Sequence, residues 1–115
     1  MFSNEILKGT IKPLIVKLIR DYGRMYGYQI TQKVKELSSD TIILTEGALY
    51  PALHKLVDEG TLTVETERVG NRERKYYSLQ HTHIQATTFK LEEVMQSIRM
   101  LVQLFDIPQS VYDTK

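Results

Sequence analysis

The spacing of apolar residues changes period once, over residues 62–79, and that change limits the folds open to this chain. Before it, apolar residues recur at three- and four-residue steps, as on one face of a helix. Within it they alternate, as on one face of a strand, and after it the helical spacing returns. The order is helix, helix, helix, hairpin, helix. Such a chain is mainly α with a small β-hairpin, which excludes doubly wound sheets, sandwiches and barrels.

The first helix is marked by Ile11, Leu14, Ile15, Leu18, Ile19 and Tyr22. Pro13 leaves two readings open. With Thr10 as N-cap it falls in the first turn, where a missing N–H costs little; otherwise Ile6 and Leu7 join the same helix, which bends there. Gly23 and Gly27 bracket a short turn, and Ile30, Val34 and Leu37 mark a second helix ending near Ser38-Ser39-Asp40. Thr41 to Leu44 is a β-branched run that reads as a small strand. Thr45 suits the N-cap of a third helix with the apolar face Leu49, Leu53, Leu56 and Val57, and Gly60 supplies its stop. Leu62, Val64 and Thr66 form the inward side of a half-buried strand, Gly70-Asn71 turns the chain, and Lys75 to Leu79 returns it. Leu91, Met95, Ile98, Val102 and Phe105 then step along one helix face, a seam widened by Val94, Leu101 and Leu104 and closed by Asp106-Ile107-Pro108. Residues 1–80 therefore form one domain, 81–108 a long helix and 109–115 a flexible tail.

Composition narrows the function classes. At 115 residues the chain has room for a single modest core. It has no cysteine, which removes disulfides and thiolate chemistry and fits a cytoplasmic protein. No apolar run approaches the ~18 residues of a membrane span, and MFSNEILKGT lacks the layout of a signal peptide. The net charge of +1 says little, but the cations are unevenly placed: Arg68, Arg72, Arg74 and Lys75 cluster around the hairpin tip. Any nucleic-acid surface should be equally local.

The third helix carries the chemistry. Opposite its leucines lie Gly47, Ala48 and Pro51, with Tyr50 among them. Small residues at a helix start allow close backbone approach, and a tyrosine offers a ring for a thymine methyl and a hydroxyl for a base edge or phosphate. The same residues also suit an ordinary helix start whose Tyr50 packs on the hairpin. The tip Val69–Lys75 can lie along phosphates or simply face water.

Tyr26-Gly27-Tyr28-Gln29-Ile30, then Glu46-Gly47-Ala48-Leu49-Tyr50-Pro51-Ala52-Leu53-His54-Lys55-Leu56 with Gly60, then Arg74-Lys75-Tyr76-Tyr77-Ser78-Leu79, resemble the signature blocks of the PadR family of bacterial transcription regulators. The match spans about residues 9–80, with the blocks in order at compatible spacing. The resemblance implies a winged helix-turn-helix that binds double-stranded DNA, with the third helix in the major groove. It also implies a homodimer formed by the C-terminal and first helices, and a repressor on a pseudo-palindromic operator. The reading residues would be Thr45, Gly47, Ala48, Tyr50, Pro51 and His54; Tyr28, Lys33 and Lys55 would contact phosphates, and Arg72, Arg74 and Lys75 would serve the wing. Leu91, Met95, Ile98, Val102 and Phe105 would form the dimer seam. The single last helix resembles the short subgroup, some of whose members bind flat aromatic drugs at the dimer interface through a tryptophan. A small hydrophobic or aromatic effector is the implied further partner, though this chain has no tryptophan. It also departs from the family at Gln80-His81-Thr82-His83, where the family has Thr-Glu-x-Gly.

Other classes find little footing. His54, His81 and His83 lack a Cys or acid at ligand spacing, so no metal and no cofactor are expected. Asp58-Glu59 and Glu92-Glu93 are adjacent on helices and point to different faces, and no nucleophile or phosphate-loop motif is present, so an enzyme is not expected. A winged helix that binds a protein partner in place of DNA is the alternative.

Overall fold

The computed structural model describes residues 7–106. Ile6, the expected stop at Ile107-Pro108 and the tail 109–115 lie outside them. Helix α1 spans Ile11–Tyr22, with Thr10 in the N-cap position. The helical backbone at residues 7–8 is interrupted by a turn at Gly9-Thr10, where the Thr10 N–H donates to Leu7 O at 3.0 Å. Of the two readings of Pro13, the capped one therefore holds. Pro13 is the third residue of α1, where an amide would have no helical acceptor.

Strand β1, Met25–Tyr26, occupies what the sequence marks as a turn. It leads into α2, Gly27–Leu37, and Gln29 Oε1 accepts from the Tyr26 N–H at 3.1 Å at the helix start. Ile30 and Val34 are buried, whereas Leu37, at the end of the expected apolar face, is exposed. The run Thr41 to Leu44 is not a strand. Ser39 and Asp40 take positive φ of 51° and 64°, and Ser38 Oγ accepts from the Ile42 N–H at 2.9 Å, so the segment is bound into the turn after α2. Leu44 alone of the four is buried.

Thr45 caps α3, Glu46–Asp58, by accepting from the Ala48 N–H at 3.3 Å. Pro51 is the sixth residue of α3, past the first turn, so it removes the amide that would bond Gly47 O. Strands β2, Leu62–Val69, and β3, Arg72–Leu79, pair antiparallel from Leu62↔Leu79 to Val69↔Arg72. At the tip Gly70 has φ 63° and Asn71 does not share a positive φ, the II′ arrangement of a two-residue hairpin. The sheet order is β1-β3-β2, with Met25 opposite Tyr77 and Tyr26 opposite Tyr76.

A short 3-10 turn, His81–His83, precedes α4, Ile84–Phe105. The core is closed by Ile15, Ile30, Leu49, Leu53 and Leu62, all fully buried, together with Tyr77 and Leu91. The hairpin leaves this core almost at once. Leu62 is buried, but Val64 is 41% exposed and Thr66 is exposed, so the expected inward face of β2 ends after one residue. The same holds for α4: Leu91 belongs to the protomer's core, while residues 95–106 are all exposed.

Candidate nucleic-acid interface

Gly27, the first residue of α2, is where the three motif segments meet. A Cβ there would fall 2.9 Å from Tyr50 Cζ and closer still to its hydroxyl, so the ring of α3 rests on bare backbone. Tyr77 lies beneath. Burial pushes its phenol above the usual value, and the nearby Tyr50 adds to the shift. Tyr26, Tyr28, Tyr50, Arg74, Lys75 and Tyr77 all border a cleft of about 290 Å³ at this junction. Part of the Tyr50 ring is thus committed to packing against α2, and the rest is open, at 37% exposure.

This contact is testable through its cost. Gly27→Ala is expected to force Tyr50 from its seat and cost about 1–3 kcal/mol of folding stability. In thermal denaturation, Gly27→Ala combined with Tyr50→Ala should lose clearly less than the two single losses added together. Additive losses would show that the two residues do not press on one another.

The outer face of the sheet carries two neighbouring rings with a cation over each. The Arg24 guanidinium lies 4.3 Å from the Tyr76 ring centre. Tyr76 meets Tyr26 edge-on, with centroids 5.4 Å apart and planes at 77°. Arg74 lies 4.5 Å over Tyr26. At one end Arg24 Nη1 is 2.8 Å from Glu67 Oε1, and that carboxylate raises the guanidinium's already high pKa.

Most of the residues that the sequence assigns to DNA lie at the surface of α2, α3 and the hairpin. Thr45, Gly47, Pro51, His54 and Lys55 are exposed along α3, and Ala48 is half-buried. Tyr28 is 62% exposed on α2. Lys33 is partly engaged, with Nζ 4.5 Å above the Tyr22 ring and 3.8 Å from Glu36. Arg72 and Lys75 are exposed at and beside the tip, and among the described residues neither pairs with an acid. Arg74, in contrast, is half-buried against Tyr26. On the flank of α3 away from the hairpin, Ala48, Pro51 and Lys55 border a groove of about 420 Å³ shared with Leu7, Ile11 and Lys12. Of the seam residues, Met95, Ile98, Val102 and Phe105 are exposed, whereas Leu91 is spent within the protomer. Sequence reasoning missed Arg24, Glu67 and the pairing of Tyr26 with Tyr76. The two tyrosines stand in the motif blocks, but their contact depends on β1, which is too short to show a period.

Among the described residues, no group of His, Cys, Asp and Glu could hold a metal ion, and no helix is long and apolar enough to cross a membrane.

The model of the transcriptional regulator PadR-like family matches residues 15–82. The negative transcriptional regulator PadR of Bacillus subtilis (strain 168) is 37% identical over 71 residues, which make up 61% of this chain and 38% of that protein. The chain therefore spans well under half the length of that relative. An X-ray structure of a PadR-like transcription factor from Bacteroides fragilis superposes with a TM-score of 0.69 at 27% identity, over 89% of this chain and 95% of that one. Bacillus subtilis PadR in complex with operator DNA superposes with a TM-score of 0.63 at 34% identity, over 71% of this chain and 47% of that one.

Proposed function

Because this chain belongs to the PadR-like family of transcriptional regulators, we propose that it represses transcription by binding a pseudo-palindromic operator as a homodimer. The observation that carries this reading is the exposed, small-residue face of α3 beside a hairpin whose Arg72 and Lys75 have no acid partner among the described residues. The operator-DNA complex of the Bacillus subtilis relative supports it.

In this arrangement α3 enters the major groove. Gly47, Ala48, Pro51 and His54 approach base edges, and Thr45 holds the helix start. Asp58 lies on the same exposed side near the C-terminal end of α3, so the N-terminal half is the part that approaches the anionic duplex. Tyr50 reads with its exposed edge while its other side rests on Gly27. Tyr28 and Lys33 on α2 and Lys55 on the far flank of α3 reach phosphates, and Arg72, Arg74 and Lys75 reach them from the wing.

The dimer rests on α4. Met95, Ile98, Val102 and Phe105 leave an apolar stripe that a second copy covers about a two-fold axis. The two reading helices then address half-sites one helical turn, about 34 Å, or a multiple of it apart. The stripe also suits a small hydrophobic or aromatic effector lodged between paired α4 helices as the release signal. The activity needs no cofactor or catalytic group, and its place is the cytoplasm.

Selection of bound sequences from random DNA tests the reading. A single palindromic motif is expected, bound with an affinity that falls steeply as salt rises. Arg72→Ala should weaken cognate and random DNA about equally and reduce the salt slope by about one. No selected motif together with a flat salt response would overturn the DNA reading and favour a protein partner.

A further inference from the structure

We propose that Arg24, Tyr76 and Tyr26 are positioning residues that set the Arg74 guanidinium for a DNA phosphate and keep Glu67 from capturing it. This rests on the DNA-binding reading given above. Glu67 stands directly opposite Arg74 across the hairpin, and opposite charges so placed ordinarily pair. Here they do not. Glu67 is held by Arg24, whose Nη1 approaches Oε1 at 2.8 Å, and among the described residues no carboxylate pairs with Arg74.

Arg74 instead lies over Tyr26, with its guanidinium carbon 4.5 Å from the ring centre. A guanidinium stacked on a ring keeps its N–H donors at the rim, free to form a fork with a phosphate. The ring beneath it meets Tyr76 edge-on, and Arg24 lies over the Tyr76 ring. Arg24 therefore has two tasks at one position: it closes the stack and it occupies the acid that would neutralise Arg74. Lysine could not replace Arg74 without loss, because an ammonium has no planar face to lay on the ring.

Removing Arg24 should free Glu67, which then pairs with Arg74. Arg24→Ala is expected to lower affinity for the selected operator about threefold, the scale of one exposed cation–ring contact. Arg24→Ala/Glu67→Gln should recover most of that loss, while Glu67→Gln alone changes little. Tyr76→Leu leaves Arg24 on Glu67 and should lower affinity less than Arg24→Ala does, and Tyr76→Phe should bind as the unsubstituted protein does. In an Arg74→Ala background neither Arg24→Ala nor Tyr76→Leu should lower affinity further, which a general loss of structure would not reproduce. A loss that persists in Arg24→Ala/Glu67→Gln would mean that Arg24 itself touches DNA and would overturn the proposal, as would losses that add to that of Arg74→Ala. A second readout needs no DNA. NMR relaxation of the Arg74 Nε–H in the free protein should show an ordered side chain that loosens in Tyr76→Leu. An already mobile Arg74 defeats the stack while leaving the DNA reading intact, and an ordered Arg74 in a protein that binds no DNA defeats the DNA reading.

Discussion

Ile98→Arg is expected to give a folded monomer that has lost specific operator binding. Within the protomer Ile98 is 44% exposed, so an arginine there meets solvent and leaves the core of Leu49, Leu53 and Leu62 intact. In the proposed dimer the same position faces its own copy near the two-fold axis. Two guanidinium groups would then be desolvated and opposed, a cost that helix pairing cannot absorb. A dimer binds its second half-site as an intramolecular step, and the monomer forfeits that gain, about a hundredfold or more in affinity. Light scattering should give the mass of one chain, circular dichroism a folded protein that has lost at most the helix of the exposed last turns of α4, and a DNA titration the loss. If Ile98→Arg remained dimeric with full affinity, the seam on α4 would not be the dimer interface.

Leu53→Ala should separate holding the reading helix from reading with it. Leu53 is fully buried on the inner side of α3, and truncation opens a cavity among Ile15, Ile30 and Leu49. The expected cost is about 2–5 kcal/mol of folding stability, read by denaturant unfolding. Tyr50→Ala, less than one turn earlier on the same helix, should cost less stability, because the ring is already partly open. It should instead remove on the order of 1–3 kcal/mol of discrimination between operator and random DNA. A Tyr50→Ala protein that unfolds as readily as Leu53→Ala while keeping its discrimination would assign the ring wholly to packing.

The features legible in the sequence are those written locally. Thr45 at its cap, the buried leucines of α3 and the Gly70-Asn71 turn each depend on a few neighbouring residues, and each stands where the pattern places it. What was not legible depends on where elements end against one another. The alternation of Leu62, Val64 and Thr66 is real, but it does not say that the core stops beneath Tyr77, so Val64 comes out exposed. The steps from Leu91 to Phe105 are likewise unbroken, yet Leu91 meets the protomer's own core and the residues beyond it do not. Thr41 to Leu44 has strand-like side chains, but the positive φ of Ser39 and Asp40 and the Ile42 N–H bond to Ser38 Oγ hold it in the turn after α2. The candidate site divides the same way. The face of α3 and the cations of the tip could be listed from the chain, whereas the contacts of Arg24 with Tyr76 and Glu67 require three strands to be aligned.

In the proposed dimer, the reach of α4 would tie the folding of this chain to its own abundance. The protomer extends 67 Å along its longest axis, with a radius of gyration of 17.1 Å, where a compact domain of similar length would have about 13 Å. The last three turns of α4 lie outside the protomer's core, and a helical segment so short is marginal in water when nothing packs on it. In dilute solution those turns fray while the core between α1 and β3 stays closed. Association supplies the missing contacts, so helix order and apparent stability rise with concentration by mass action. Scarcity would then lower operator occupancy twice over, by leaving fewer molecules and by leaving each of them less completely folded.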